Sequence, residues 1–365
     1  MPSITTIPFS QLKFDDDLPT LQAVEERLTK TLRMIRTDLE ERAELEGSDR
    51  IDNSPSFDDQ IRDTDRAKIK RRATLYLVRA HTATGTYHLA DKDKVKLAPL
   101  RDGLPVARVQ TEHEADEIAT ALHAEMPWMG PATEEVWHGL RASVRDGLPG
   151  LRFNPLVLVG SPGIGKSHWA RRLAEHLTVP VTKIDASNEP ATFSLVGVQR
   201  GWGSAAPGKL MATVLRERHA GPLVIIDEIE KTGDVNAVSG SRHTLTDALL
   251  PLLERMTAET WECPYFQVRV DMSWSNWVLT ANSRMGLPEP LQSRCIVLDL
   301  PDLTAVQLSA YAEASGHRRG LPETALEAVV AAISMTRSPN GALSLRTVNR
   351  MLDRVEILAK RPVLQ

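Results

Sequence analysis

Cysteine, long apolar runs and excess charge are all scarce in this sequence. Its 365 residues include two cysteines, Cys263 and Cys295. Two thiols cannot build a disulfide framework, and these lack any metal-ligand spacing, a usage that fits a reducing, cytoplasmic setting. No apolar stretch approaches the roughly 20 residues needed to span a bilayer. The opening MPSITTIPFSQLKFDDDLP has no apolar core of signal-peptide length before it reaches Asp15, Asp16 and Asp17. Secretion and membrane insertion are therefore not expected. With 44 Lys and Arg against 48 Asp and Glu, the net charge is only −4, so no global basic field advertises nucleic acid. Repeats and low-complexity tracts are missing too. What is present is globular composition, 42% hydrophobic and 25% charged, in a chain long enough for two or three domains.

Three regions are expected. In the first, residues 1–115, Leu21, Val24, Leu28, Leu32, Ile35 and Leu39 recur at steps of three and four. That spacing predicts a long amphipathic helix, whose stripe packs on its own domain or pairs with a partner. The polar stretch from Gly47 to Asp65, broken by Pro55, reads as a linker. Thr74–Val78 and Thr86–Leu89 around Gly85 read as a β-hairpin, giving an α+β accessory domain. The run Lys68–Arg72 is basic and reads as a solvated helix end.

From 116 to 302 the pattern becomes α/β. Leu156–Val159, Leu223–Ile226 and Trp277–Thr280 are continuous apolar runs of strand length, the mark of strands covered on both faces. Intervening helices imply a parallel sheet. The segment Trp274–Trp277 reads as part of a hairpin, with Trp277 in the core. In 303–365 apolar residues return to helical spacing, which predicts a small all-helical subdomain.

The chemistry is concentrated at strand ends. Gly160, Ser161, Pro162, Gly163, Ile164, Gly165, Lys166 and Ser167 satisfy G-x-x-x-x-G-K-[ST] between an apolar strand and a helix that opens with His168. Glycines let the backbone curl so that several N–H groups face one phosphate, and the helix end adds its dipole. Lys166 is placed to reach the β- and γ-phosphates of ATP, and the Ser167 hydroxyl to ligate Mg²⁺. Asp227 and Glu228 close the second apolar strand, at the edge where α/β sheets bind ligands. Asp227 suits the Mg²⁺ shell and Glu228 the orientation of an attacking water. Asn282, after the third strand, could bond both the γ-phosphate and that water, or serve only as a turn former. Together the three strand ends specify an ATPase.

With these motifs in this order, the sequence resembles the AAA+ ATPases, and within them the ATPase module of Lon proteases, over roughly residues 125–360. The resemblance implies several further roles. Val198–Leu210 is similar to the segment that carries a substrate-gripping pore loop, with Trp202 as the aromatic; a structural role for Trp202 is the alternative. Pro290–Arg294 matches the segment ending in an arginine finger, Arg294, which acts on a neighbouring subunit and so implies a homo-hexameric ring. Arg242 is either a second such arginine or an ordinary surface residue. Ser344-Leu345-Arg346 looks like the start of the sensor-2 helix, with Arg346 reaching the γ-phosphate; the family usually has Gly where Ser344 stands. Trp128 and Met129, within Met126–Gly130, sit where the family builds its adenine pocket. The sequence stops at Gln365, so no peptidase domain is expected, and the implied activity is ATP-driven remodelling of a protein substrate or effector partner. A DNA-directed motor and a nucleotide-gated scaffold are the competing readings.

Overall fold

In the computed structural model, residues 2–45, 61–187, 191–200, 205–231, 244–335 and 343–359 are described. The chain divides into two units, one of Gln11–Arg101 and one formed by Met1–Ser10 together with Asp102–Gln365.

Within its described residues the unit Gln11–Arg101 is helical, with helices at Leu21–Leu45, Asp63–Thr82 and Asp91–Leu97. The first is the predicted amphipathic helix and packs against the second. Only its N-terminal half is covered: Val24 is buried, whereas Ile35 and Leu39 are 52% and 59% exposed. The hairpin expected over Thr74–Leu89 is not formed, because Thr74–Thr82 continue the helix Asp63–Thr82. Ile69 and Ala73 are buried and Leu77 and Ala80 half-buried, at steps of four, four and three, while Leu75 and Val78 face outward. A helical face was hidden in an apolar string that also fits strand propensity. The segment after it is pinned by polar contacts instead: the Thr86 hydroxyl donates to the Lys13 carbonyl (3.1 Å) and the Lys13 N–H to the Thr84 carbonyl (3.2 Å). The basic residues Lys68, Lys70, Arg71 and Arg72 are exposed along this helix rather than at its end.

In the larger unit, strand β1 (Ser3–Ile7) pairs antiparallel with β2 (Leu104–Arg108), from Ser3 opposite Arg108 to Ile7 opposite Leu104. The central sheet is built from β3 (Leu156–Val159), β4 (Val181–Asp185) and β5 (Leu223–Asp227). An antiparallel hairpin, β6 (Trp261–Cys263) with β7 (Val268–Val270), follows. Strands β8 (Asn276–Ala281) and β9 (Ile296–Asp299) then complete a five-stranded parallel sheet in the order β4-β5-β8-β3-β9. Every residue of β3, β5 and β8 is buried, which is why these three were legible as continuous apolar runs. The edge strands β4 and β9 are only partly covered. The hairpin lies at 261–270, so Trp274 and Trp277 do not belong to it; Trp277 is a core residue of β8, 2% exposed.

Helices cover both faces. Trp169, on the helix Lys166–Leu177, is fully buried and donates its indole N–H to Thr133 Oγ1 at 3.1 Å. The C-terminal helices Ala305–Arg318, Glu323–Met335 and Leu345–Ala359 form the expected helical part around Leu308, Leu326, Ile333 and Leu352. Thr304 and Gln307 close a capping box on the first of them.

Candidate active site

The loop after β3 turns sharply enough to aim its backbone inward. Gly163 (φ +85°) and Gly165 (φ +102°) are left-handed, and a Cβ on Gly163 would lie 2.8 Å from that of Ser344. Only glycine fits such a position without moving the neighbouring helix. The Leu345 N–H donates to the Gly163 carbonyl at 3.0 Å, tying the C-terminal helix to the loop. Ser344, the departure from the family pattern, caps that helix: its hydroxyl accepts from the Thr347 N–H at 3.2 Å.

Lys166 is 7% exposed, and its ammonium donates to the carbonyls of Gly160 (2.5 Å) and Ser161 (3.1 Å) and to Asn282 Oδ1 (3.3 Å). Burial holds its pKa below the ordinary lysine value, opposed by the carboxylates of Glu230, Asp227 and Glu228. A cation surrounded by oxygen acceptors in a glycine-lined cradle is what a phosphate needs.

Asp227, at the end of β5, accepts from the Ser167 hydroxyl (2.5 Å) and the Thr280 hydroxyl (3.1 Å) on Oδ1. Lys183 pairs with its Oδ2 at 2.7 Å. Glu228 follows at φ +58°, an unusual conformation for a side-chain-bearing residue. Its N–H donates to Thr280 Oγ1 (3.3 Å), and Lys231 (2.7 Å) and Asn282 Nδ2 (3.4 Å) hold its carboxylate. Lys231 is the main reason its pKa lies below the usual carboxylate range, so Glu228 is ionised at neutral pH. The Asn282 amide thus bridges Lys166 and Glu228, while its backbone N–H donates to Glu230 Oε1 at 3.0 Å.

These groups open into a cavity of about 930 Å³, lined on the side of the C-terminal helices by Tyr311, Arg319, Arg346, Asn349 and Arg350. Beside it lies a smaller cavity of about 350 Å³ walled by Met126, Pro127, Trp128, Ala310, Tyr311 and Ala314. His168 and Tyr311 line both. Desolvation, with Arg171 and Arg172 nearby, keeps the His168 pKa below its ordinary value. Trp128 donates its indole N–H to the Ile164 carbonyl at 3.0 Å, joining the wall of the small cavity to the phosphate loop. Met129 is fully buried and lines neither cavity, so of the expected pair Trp128 and Met129 it is Trp128 that walls the small cavity.

Among the described residues no cluster of three or more His, Cys, Asp or Glu could hold a metal. The pair Ser167–Asp227 nonetheless fits Mg²⁺, which prefers hard oxygens and takes few protein ligands, keeping its waters and substrate phosphates.

Arg294 stands apart. It lines neither cavity, and its guanidinium donates to the Pro290 carbonyl (3.1 Å) and pairs with Glu254 (3.5 Å). Trp202 and Arg242 lie outside the described residues. Sequence reasoning missed Thr280, Lys183, Lys231, Tyr311 and Asn349. Thr280 lies two residues before Asn282 at the same strand end, the one signal that could have found it.

Residues 156–300 match the profile of the ATPase family associated with various cellular activities, AAA. "Lon protease homolog 2, peroxisomal" of Spinacia oleracea is 29% identical over 232 residues, covering 57% of this chain and 24% of that protein. The Oryza sativa subsp. japonica protein of the same name is 32% identical over 201 residues (55% and 22%). "Lon protease" of Nitratidesulfovibrio vulgaris is 28% identical over 192 residues (53% and 22%). The chain therefore spans about a quarter of the length of these relatives. A solved RuvB mutant aligns at TM-score 0.40 and 18% identity over 62% of this chain and 61% of that one, too loosely to carry an argument. The central region is an AAA domain. Over roughly half of its length the chain is similar to these Lon proteases.

Proposed function

We propose that this chain hydrolyses ATP with Mg²⁺ in a homo-hexameric ring and uses the cycle to remodel, unfold or translocate a protein substrate or effector partner. The ring's large subdomain is 116–302 and its lid 303–365, in a reducing cytoplasm that suits two free thiols. Lys166 and the loop Gly160–Ser167 hold the phosphates. Ser167 and Asp227 hold Mg²⁺, which when bound neutralises phosphate charge. The base enters the cavity walled by Trp128, and His168 and Tyr311 flank the passage between base and phosphates. Glu228, oriented through Asn282 and Lys231, positions the attacking water. Arg346 approaches the phosphates from the lid.

The observation that carries the reading is the separation of Arg294 from the cavity that gathers Lys166, Asp227, Glu228 and Asn282. These four groups converge in one copy and Arg294 points elsewhere, which supports completion of the site by a neighbour. A guanidinium supplied in that way accelerates phosphoryl transfer by roughly 10³–10⁵. Arg242 is proposed as a second arginine of this kind, and Trp202 as the pore residue that grips an extended chain.

The test is complementation. R294A and K166A should each be inactive, and mixing them should restore measurable ATPase, because an intact cradle then meets an intact finger. No recovery in mixed oligomers, or full activity of R294A alone, refutes the shared site. Substrate-stimulated hydrolysis lost in W202A supports gripping, and stimulation by unfolded protein rather than DNA separates a protein remodeller from a nucleic-acid motor.

A further inference from the structure

We infer that Tyr311 and Asn349 read the sugar of the bound nucleotide, making this ATPase selective for a ribonucleotide over its deoxy analogues; the inference rests on the nucleotide-binding reading above. Two cavities meet at His168 and Tyr311, one apolar enough for a base and the other built around the phosphate loop. A nucleotide with its base in the first and its phosphates on Lys166 must pass its sugar between these two side chains. The lid presents an ordered polar network at that passage. The Tyr311 hydroxyl donates to Asn349 Oδ1 (3.2 Å) and the Asn349 amide donates to the Tyr311 oxygen (3.1 Å). Arg319 donates to the same Asn349 oxygen at 3.1 Å and is itself held by Asp353 at 2.6 Å.

Counting the remaining capacity decides what the network can bind. Asn349 keeps a second amide hydrogen, and the Tyr311 oxygen keeps a lone pair. A donor and an acceptor side by side match a vicinal pair of sugar hydroxyls. Arg319 fixes the amide orientation, so little side-chain entropy is lost on binding. Trp128 holds the Tyr311 ring edge-on at 6.2 Å, and Tyr311→Phe therefore removes the hydroxyl while keeping the packing.

The experiment measures equilibrium binding of ATP, 2′-deoxy-ATP and 3′-deoxy-ATP to the full chain and to Y311F and N349A, with thermal midpoints as a check on folding. Wild type should prefer ATP over one or both deoxy forms by about threefold to tenfold, the range for one net hydrogen bond. Y311F should reduce that preference towards unity mainly by weakening ATP. Equal binding of all three nucleotides by wild type overturns the inference and leaves the ATPase reading standing. Equal losses for all three in well-folded Y311F also overturn it, because they mark a structural role. Failure of ATP itself to bind removes the underlying reading and this inference together.

Discussion

Thr280→Val tests how the strand ends hold one another. The substitution keeps shape and β-branching and deletes the hydroxyl of a residue that is 3% exposed. Two contacts go with it: the donation to Asp227 Oδ1 at 3.1 Å and the acceptance from the Glu228 N–H at 3.3 Å. Asp227 keeps Ser167 and Lys183, but the Glu228 N–H is left without that partner at a left-handed φ of +58°. A bond to an ionised carboxylate contributes about 1.5–3 kcal/mol, and an orphaned buried donor costs about 1–3 kcal/mol. The two overlap in a single substitution, so a loss of about 2–4 kcal/mol is expected. At about 2–4 °C per kcal/mol for a unit of this size, the melting midpoint should fall by roughly 5–15 °C. Glu228 then relaxes toward an unstrained backbone and leaves the Asn282 amide, so kcat should fall about tenfold or more while Thr280→Ser stays near wild type. Calorimetry with steady-state ATPase assays reads both. A T280V protein that melts within 1 °C of wild type and turns over at the same rate refutes the reasoning.

Other consequences follow from single features. Burial holds His219 neutral with a pKa lowered from 6.5 to about 4; because the unfolded state binds the extra proton first, stability is present above pH 6.5 and falls between 6.5 and about 4. The loss reaches about 3 kcal/mol at about 1.36 kcal/mol per unit, and denaturant titrations of H219N against wild type should show that slope removed. Trp128→Phe leaves the Ile164 carbonyl without its indole donor, and ATP affinity measured by calorimetry should drop about fivefold to fiftyfold. Because β1 and β2 pair from Ser3–Arg108 to Ile7–Leu104, Gln11–Arg101 is an insertion between two adjacent strand ends. Replacing it with a short Gly-Ser linker should leave basal ATPase within about twofold, and an insoluble or inactive product counts against that independence.

The sequence by itself determined what depends on local geometry and strong periodicity. The loop Gly160–Ser167 needs its glycines wherever a strand turns into a helix around phosphate, so it was legible without coordinates. The strands β3, β5 and β8 were legible because burial on both faces leaves only apolar residues. Edge strand β4, half covered, is interrupted by Thr182 and Lys183 and carries no such run, β9 offers only Ile296–Leu298 before Asp299, and the string Thr74–Val78 satisfied two periods until packing chose the helix. Tertiary structure alone decided which distant residues meet. Thr280 reaches Asp227 because β8 lies beside β5, and Tyr311 bonds Asn349 and lines the same cavities as His168 because the C-terminal helices pack beside the loop. Placing Arg294 outside the cavity was likewise a matter of how strands and helices pack, since spacing along a chain sets no distance between groups held by different elements.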